Sequence, residues 1–213
     1  MQIIDLTGVL EDKMWDYGEP FVPYTMKRLT DMEKDGYLAS VITLTTHTGT
    51  HLDCPRHFGE ERKSISEMDL SKFYGNARLV DISDSCVKGM PVNPELLQHS
   101  EAQNIKPGEI CVLRTGWEKM WNTAEYVEHY PYLTPEAAEY LAEKKIKLLA
   151  ADIPIVGNPH DTLTDMVLCE KEIPSVYSLV NTEKLPKQFL FSAFPLKIKD
   201  GDGSPVRAVA IIE

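Results

Sequence analysis

Three histidines and an aspartate crowd into the run Thr46-His47-Thr48-Gly49-Thr50-His51-Leu52-Asp53-Cys54-Pro55-Arg56-His57, which holds half of the chain's six histidines. Glycine, proline and threonine fill the intervals and are poor helix formers, so the spacing does not describe a helix face. Alternating apolar positions over residues 41–46 read instead as a strand that enters a turn opened by Gly49 and continues as a second extended piece. Side chains two apart on an extended segment share a face, so His51 and Asp53 point together. The turn at Gly49 folds the chain back and lets His47 join them. Two neutral imidazoles and a carboxylate converging on one point suit zinc and accommodate manganese or iron. Three protein ligands with room left for water is the pattern of a catalytic metal rather than a structural one.

The elements that must hold this run are short and of both kinds. Residues 3–7 read as an apolar strand, followed by an aromatic loop over 14–24 stiffened by Pro20 and Pro23. Residues 24–29 and 38–46 form two strands joined by a polar turn around Asp35-Gly36, and the second delivers the histidines. Glu60 and its neighbours to Lys63 are a solvated charged loop, residues 66–73 a helical turn, and residues 77–82 a strand. Asn93-Pro94-Glu95 opens a helix with a cap, a proline and an acid in order. Residues 109–115 are a buried strand. Thr134-Pro135-Glu136 starts a second helix that reaches about Lys145, with Ala137, Leu141 and Ala142 on one stripe. Residues 147–151 form the next strand, so strand, helix and strand imply a crossover with parallel pairing. Residues 173–180 and 188–198 are further strands. Asp200-Gly201-Asp202-Gly203 lacks the glutamate that a calcium loop needs at its twelfth position, so it reads as a hairpin turn with residues 206–212 returning. No repeat or linker interrupts residues 1–213, which gives one mixed α/β domain.

Bulk properties narrow the partners. The chain has 213 residues, 43% of them hydrophobic, a composition expected of a soluble globular protein. No run approaches the ~18 apolar residues of a membrane span. Met1-Gln2-Ile3-Ile4-Asp5 shows no basic region before an apolar one, so a cytoplasmic location is expected. Cys54, Cys86, Cys111 and Cys169 make no C-x-x-C pair and are expected as free thiols. A formal net charge of −11 disfavours tracking a phosphate backbone, so a small-molecule substrate is expected rather than nucleic acid.

The pattern H-x-G-T-H-x-D-x-P-x-H, carried by His47, Gly49, Thr50, His51, Asp53, Pro55 and His57, resembles the signature of the cyclase-type metal-dependent hydrolases, the family of bacterial kynurenine formamidase and isatin hydrolase. The resemblance implies a swivelling β/α/β-type fold and assembly as a homodimer. It implies a divalent metal, zinc or manganese, on His47, His51 and Asp53, with His57 as proton donor and acceptor. Trp15 matches a substrate-contacting tryptophan, and an ordinary packed tryptophan is the competing reading. The run Leu113-Arg114-Thr115-Gly116-Trp117 is similar to one that closes a side of the family's site.

The chain also departs from the pattern. The family's formamidases carry a second metal, held partly by a histidine and a glutamate twelve residues later. Aligning Glu172-Ile173-Pro174-Ser175-Val176-Tyr177-Ser178-Leu179 with Gly-Ile-Pro-x-x-Glu-Asn-Leu puts Tyr177 at the glutamate and Asp165 at the histidine. A competing alignment pairs His160 with Glu172 but breaks the surrounding apolar pattern. Tyrosine is a poor ligand near neutrality, whereas Asp165 can take a hard cation. The family's serine after the aspartate-x-proline triplet is replaced by Ile155. One metal at His47, His51 and Asp53, with a second weak or absent, is therefore expected. Amide hydrolysis of an aryl formamide leads the functional readings, with opening of a cyclic amide such as isatin as its alternative. A thiol hydrolase using Cys54 with His57, and a catalytically silent metal binder, are the readings from other classes.

Overall fold

The computed structural model describes residues 1–212. Strands β1 (Gln2–Asp5), β2 (Thr25–Arg28), β3 (Ser40–Thr43), β4 (His51–Asp53), β5 (Tyr74–Asp81) and β6 (Pro91–Val92) come first. Helices α1 (Pro94–Gln98), α2 (Pro135–Glu143) and α3 (Leu163–Glu170) then alternate with β7 (Ile110–Arg114), β8 (Tyr132–Leu133), β9 (Leu148–Ala151) and β10 (Ser175–Tyr177). Strands β11 (Gln188–Ser192), β12 (Gly203–Pro205) and β13 (Val209–Ile212) follow.

Every residue of β9, and all of β7 but Arg114, is buried, as strands covered on both faces require. They lie in a nine-stranded sheet of order β1-β13-β11-β5-β7-β9-β10-β4-β12. Its centre, β5-β7-β9-β10, is parallel, and α1, α2 and α3 make the successive crossovers. Cys111, Leu113, Leu149 and Ala151 share one core with Leu97, Ala138, Leu141 and Leu168 from the three helices. Their neighbours Ile110, Val112, Leu148 and Ala150 enter a second core with Leu52, Phe73, Phe191 and Ala210. The sheet curls around this second core: Thr7 bridges Leu179, and the Val180 N–H donates to Leu6 O at 3.0 Å. This is the mixed α/β architecture expected of the sequence.

Local chemistry explains the helices. The Asn93 and Thr134 side chains accept from the N–H groups of Leu96 and Ala137, three residues on, and a proline follows each cap. Lys145 takes a left-handed φ of 58° and ends the turn that follows α2.

Two expectations need correcting. The strand expected at 41–46 stops at Thr43, and β2 and β3 pair only with each other, all eight residues exposed. Its apolar alternation therefore does not mark a face of the main sheet. The sequence reading assigned no element to α3. Its buried face carries Thr164 and Asp165 beside Leu168 and Cys169, while Leu163 is exposed, so no clean apolar stripe betrays it.

Candidate metal centre

Strand β4 lies between β10 and β12, with His51 opposite Tyr177 and Pro205, and Asp53 opposite Ser175 and Gly203. Leu52 points into the second core, so His51 and Asp53 share the other face. Gly49 turns the chain with a φ of 65°, and a side chain there would strike Leu10. Thr50 pins the turn: its hydroxyl donates to Ser178 O at 2.7 Å and accepts from the Gly8 N–H at 3.0 Å. His57 sits on a single 3-10 turn, Pro55–Phe58, that follows directly.

The side chains converge. His47 Nδ1 lies 2.7 Å from Asp53 Oδ1, and His51 Nε2 lies 3.4 Å from the same oxygen. The His51 Nδ1–H donates to Gly49 O at 2.7 Å, which leaves Nε2 as that ring's free nitrogen. His57 Nε2 stands 4.0 Å from Asp53 Oδ2, and its ring lies 4.1 Å from that of His47. The donor atoms of His47, His51 and Asp53 all fall within 4.8 Å of one another, and the three residues are buried. Two imidazoles and a carboxylate so placed match the donor set of a divalent cation.

Electrostatics follow from burial and from neighbours. Burial pushes the His51 imidazole down to about 4, so it is neutral. Burial opposes ionisation of Asp53, yet the surrounding imidazoles prevail and hold its carboxyl down at about 2. Burial also disfavours charge on His47, but Asp53 and Asp202 on either side raise it to about 10.

Asp202 was not foreseen. The hairpin expected across Asp200-Gly201-Asp202-Gly203 is seen in the antiparallel pairing of β11 with β13, but Gly203–Pro205 form β12 between them in sequence and pair with β4, which lays the turn against the motif. Asp202 Oδ2 accepts from His47 Nε2 at 2.8 Å and lies 3.5 Å from His57 Nδ1. His47, His57 and Asp202 form a second cluster of metal-binding residue types. The one signal in the sequence was the aspartate-glycine pattern itself, whose partner strand is set by long-range pairing.

Asp165 is buried, and its Oδ1 accepts from the Tyr177 hydroxyl at 3.1 Å. Burial, then the charge of Asp53, pushes its carboxyl up to about 7. It joins neither three-residue cluster found among the described residues. His160 and Glu172, the competing pair, are both exposed, and Glu172 accepts from Lys63 instead.

Trp15 is buried at 8% exposure, edge-on to Tyr17 and Trp121, and shares a narrow cavity with His47, Phe21 and Tyr24. Phe21 and Tyr17, both in the aromatic loop expected over 14–24, stand edge-on to His47 and His51, with ring centres 6.0 and 6.3 Å away. Arg114, Thr115, Gly116 and Trp117 line a different cavity, with Ser83 and Lys88. The N–H groups of Thr115 and Gly116 donate to the buried Asp152. Cys54 is poorly placed as a nucleophile: burial pushes its thiol up to about 11, and its Sγ–H donates to Asp202 O.

Fold and site together define a metal-dependent hydrolase architecture, and comparison makes the class specific. The family model "Cyclase" (described as "Putative cyclase") matches residues 4–157, and the chain belongs to that family. It is 30% identical to a kynurenine formamidase of Geobacillus thermodenitrificans, over 96% of this chain and 95% of that one. A Bacillus anthracis kynurenine formamidase is also 30% identical, over 88% and 87%. Isatin hydrolase A from Labrenzia aggregata superposes with a TM-score of 0.90 at 25% identity, covering 100% of this chain and 94% of that structure.

Proposed function

We propose that this chain is a metal-dependent arylformamidase, an amidohydrolase that cleaves the C–N bond of a small aryl formamide of the N-formylkynurenine type. One observation carries the reading: the donor atoms of His47, His51 and Asp53 converge, with His57 Nε2 4.0 Å from the outer oxygen of Asp53. Kynurenine formamidases that match along nearly the whole chain support it.

His47, His51 and Asp53 hold the cation, zinc or manganese. A divalent cation supplies Lewis acidity there, polarising a carbonyl and making water acidic enough to ionise near neutral pH. His57 Nε2 takes the proton from water as the water oxygen bonds to the formyl carbon. It returns that proton to the leaving nitrogen as the C–N bond breaks, giving an aryl amine and formic acid, which releases its own proton to water as formate. The rings of Phe21, Tyr17 and Trp15 shape an apolar wall for the aryl group. Because Tyr177 and Asp165 bond each other, one cation per chain is assigned. Residues 1–213 act as one domain. No helix among the described residues is long and apolar enough to cross a membrane. The cytoplasm is the assigned compartment, where the four free cysteines stay reduced, and the assembly is a homodimer.

Opening of a cyclic amide is the second reading, favoured by the likeness to isatin hydrolase A. Turnover of N-formylkynurenine and isatin, measured on zinc-loaded and manganese-loaded protein, separates the two. The formamide is expected to turn over faster, with His51→Ala abolishing it; no turnover of either would overturn the assignment. His57→Ala should keep its cation and lose ~10²–10⁴-fold in kcat. Loss of the cation would make His57 a ligand instead.

A further inference from the structure

We infer that Asp202 is a positioning residue, one carboxylate that sets the tautomers of both His47 and His57. The inference rests on the proposed metal centre but not on the choice of substrate.

Its backbone is clamped by the motif it serves. The Cys54 N–H and Sγ–H both donate to Asp202 O, each at 3.1 Å, and the Ile65 N–H donates to Gly201 O at 2.9 Å. Gly203 then pairs with Asp53 as β12 begins. A β-carbon on Gly203 would lie 2.7 Å from Leu52 O and 2.9 Å from His47 Cε1, so only glycine lets the loop come this close. The loop is thus fixed by the strand that carries the ligands.

From that anchor a single oxygen, Oδ2, reaches both rings: 2.8 Å to His47 Nε2 and 3.5 Å to His57 Nδ1. A carboxylate only accepts, so His47 presents its Nε2–H to it, and at 3.5 Å the same oxygen favours the His57 tautomer with its proton on Nδ1. In the metal-free ring Asp53 holds a proton on Nδ1 as Asp202 does on Nε2; with a cation bound, the Nε2–H kept by Asp202 would leave Nδ1 as the ligand nitrogen, the carboxylate–histidine–metal arrangement that orients a ligand and raises its basicity. For His57 the favoured tautomer leaves Nε2, on the Asp53 side, as the nitrogen that exchanges protons. Two imidazoles of one short motif are assigned opposite duties by one residue far along the chain. The Asp202 side chain is 40% exposed, so its substitution leaves the buried core intact.

The test uses Asp202→Asn, which keeps the shape, and Asp202→Ala, which removes the group. Zinc affinity is read by competition with a chromophoric chelator, without substrate. Both variants should bind zinc ~10–100-fold more weakly than wild type. Wild-type affinity in both would overturn the His47 half; failure of the wild type itself to bind zinc would instead sink the metal centre. At saturating zinc, kcat should fall at least ~10-fold with KM little changed, Asp202→Asn retaining more than Asp202→Ala. In a His57→Ala background the Asp202→Ala change should cost no further kcat. Multiplicative losses in that double variant would overturn the His57 half.

Discussion

Between Asp53 and Asp202, the His47 ring has a carboxylate at each nitrogen, and the metal-free protein keeps both ring protons well above neutrality. A cation arriving at Nδ1 must expel one of them, whereas His51 is already neutral and Asp53 already ionised. Binding at pH 7.5 should therefore release about one proton per zinc, measurable by calorimetry in buffers of different ionisation enthalpy. Affinity should rise about tenfold per pH unit until the titration of His47 near 10 is passed; release of no proton would contradict the assignment of Nδ1. Asp165 titrates with the opposite consequence. Its carboxyl is raised to about 7 in the fold against ~3.9 unfolded, so the folded state holds the extra proton between those values. Stability thus falls as pH rises through that window, and the penalty is complete above it. In chelator-treated protein, Asp165→Asn should be more stable than wild type by a few kcal/mol at pH 8, about three pKa units at ~1.4 kcal/mol each being the upper bound. The difference should vanish at pH 4, as urea melts at the two pH values would reveal.

Strand β4 shows at the level of elements why part of the site was legible and part was not. Gly49 and Pro55 announce a turn and an extended piece, and the two-residue period alone puts His51 and Asp53 on one face. Thr134 and Asn93 announce their helices as plainly, because a cap acts within four residues. What flanks β4 is decided elsewhere: Tyr177 and Gly203 reach it through antiparallel pairings that no local pattern encodes. So Asp202 went unread, as did α3, whose inward face carries a threonine and an acid. The closeness of β12 to β4 carries its own prediction. Gly203→Ala puts a methyl 2.7 Å from a backbone carbonyl that cannot swing aside. The variant should lose ~1–3 kcal/mol of stability in thermal melts, and its zinc affinity should fall as His47 is displaced. An unshifted melt with wild-type affinity would mean the loop yields more readily than its hydrogen bonds imply.

At the scale of the whole molecule, the β2–β3 hairpin has no cover of its own. Met26, Leu29, Met32, Tyr37, Leu38, Val41 and Ile42 are each at least 45% exposed, and neither strand pairs with the nine-stranded sheet. An isolated two-stranded ribbon is marginal in water, and apolar side chains on both its faces call for a surface to bury them. A second copy of this chain would supply one under the proposed homodimer. The consequence reaches the site, because the roots of the hairpin, Tyr24 and Thr45, wall the cavity that holds His47 and Phe21. Clamping the ribbon between two chains would therefore steady the aromatic wall as well as the fold. Light scattering coupled to gel filtration should give twice 24.1 kDa for the wild type and 24.1 kDa for Ile42→Glu, since a carboxylate forced into an apolar interface loses its hydration. The monomeric variant should retain zinc, because His47, His51 and Asp53 lie on β4 and its turn, yet show a raised KM for the aryl substrate. A wild-type chain that runs as a monomer, with KM indifferent to Ile42→Glu, would detach the hairpin from both assembly and catalysis.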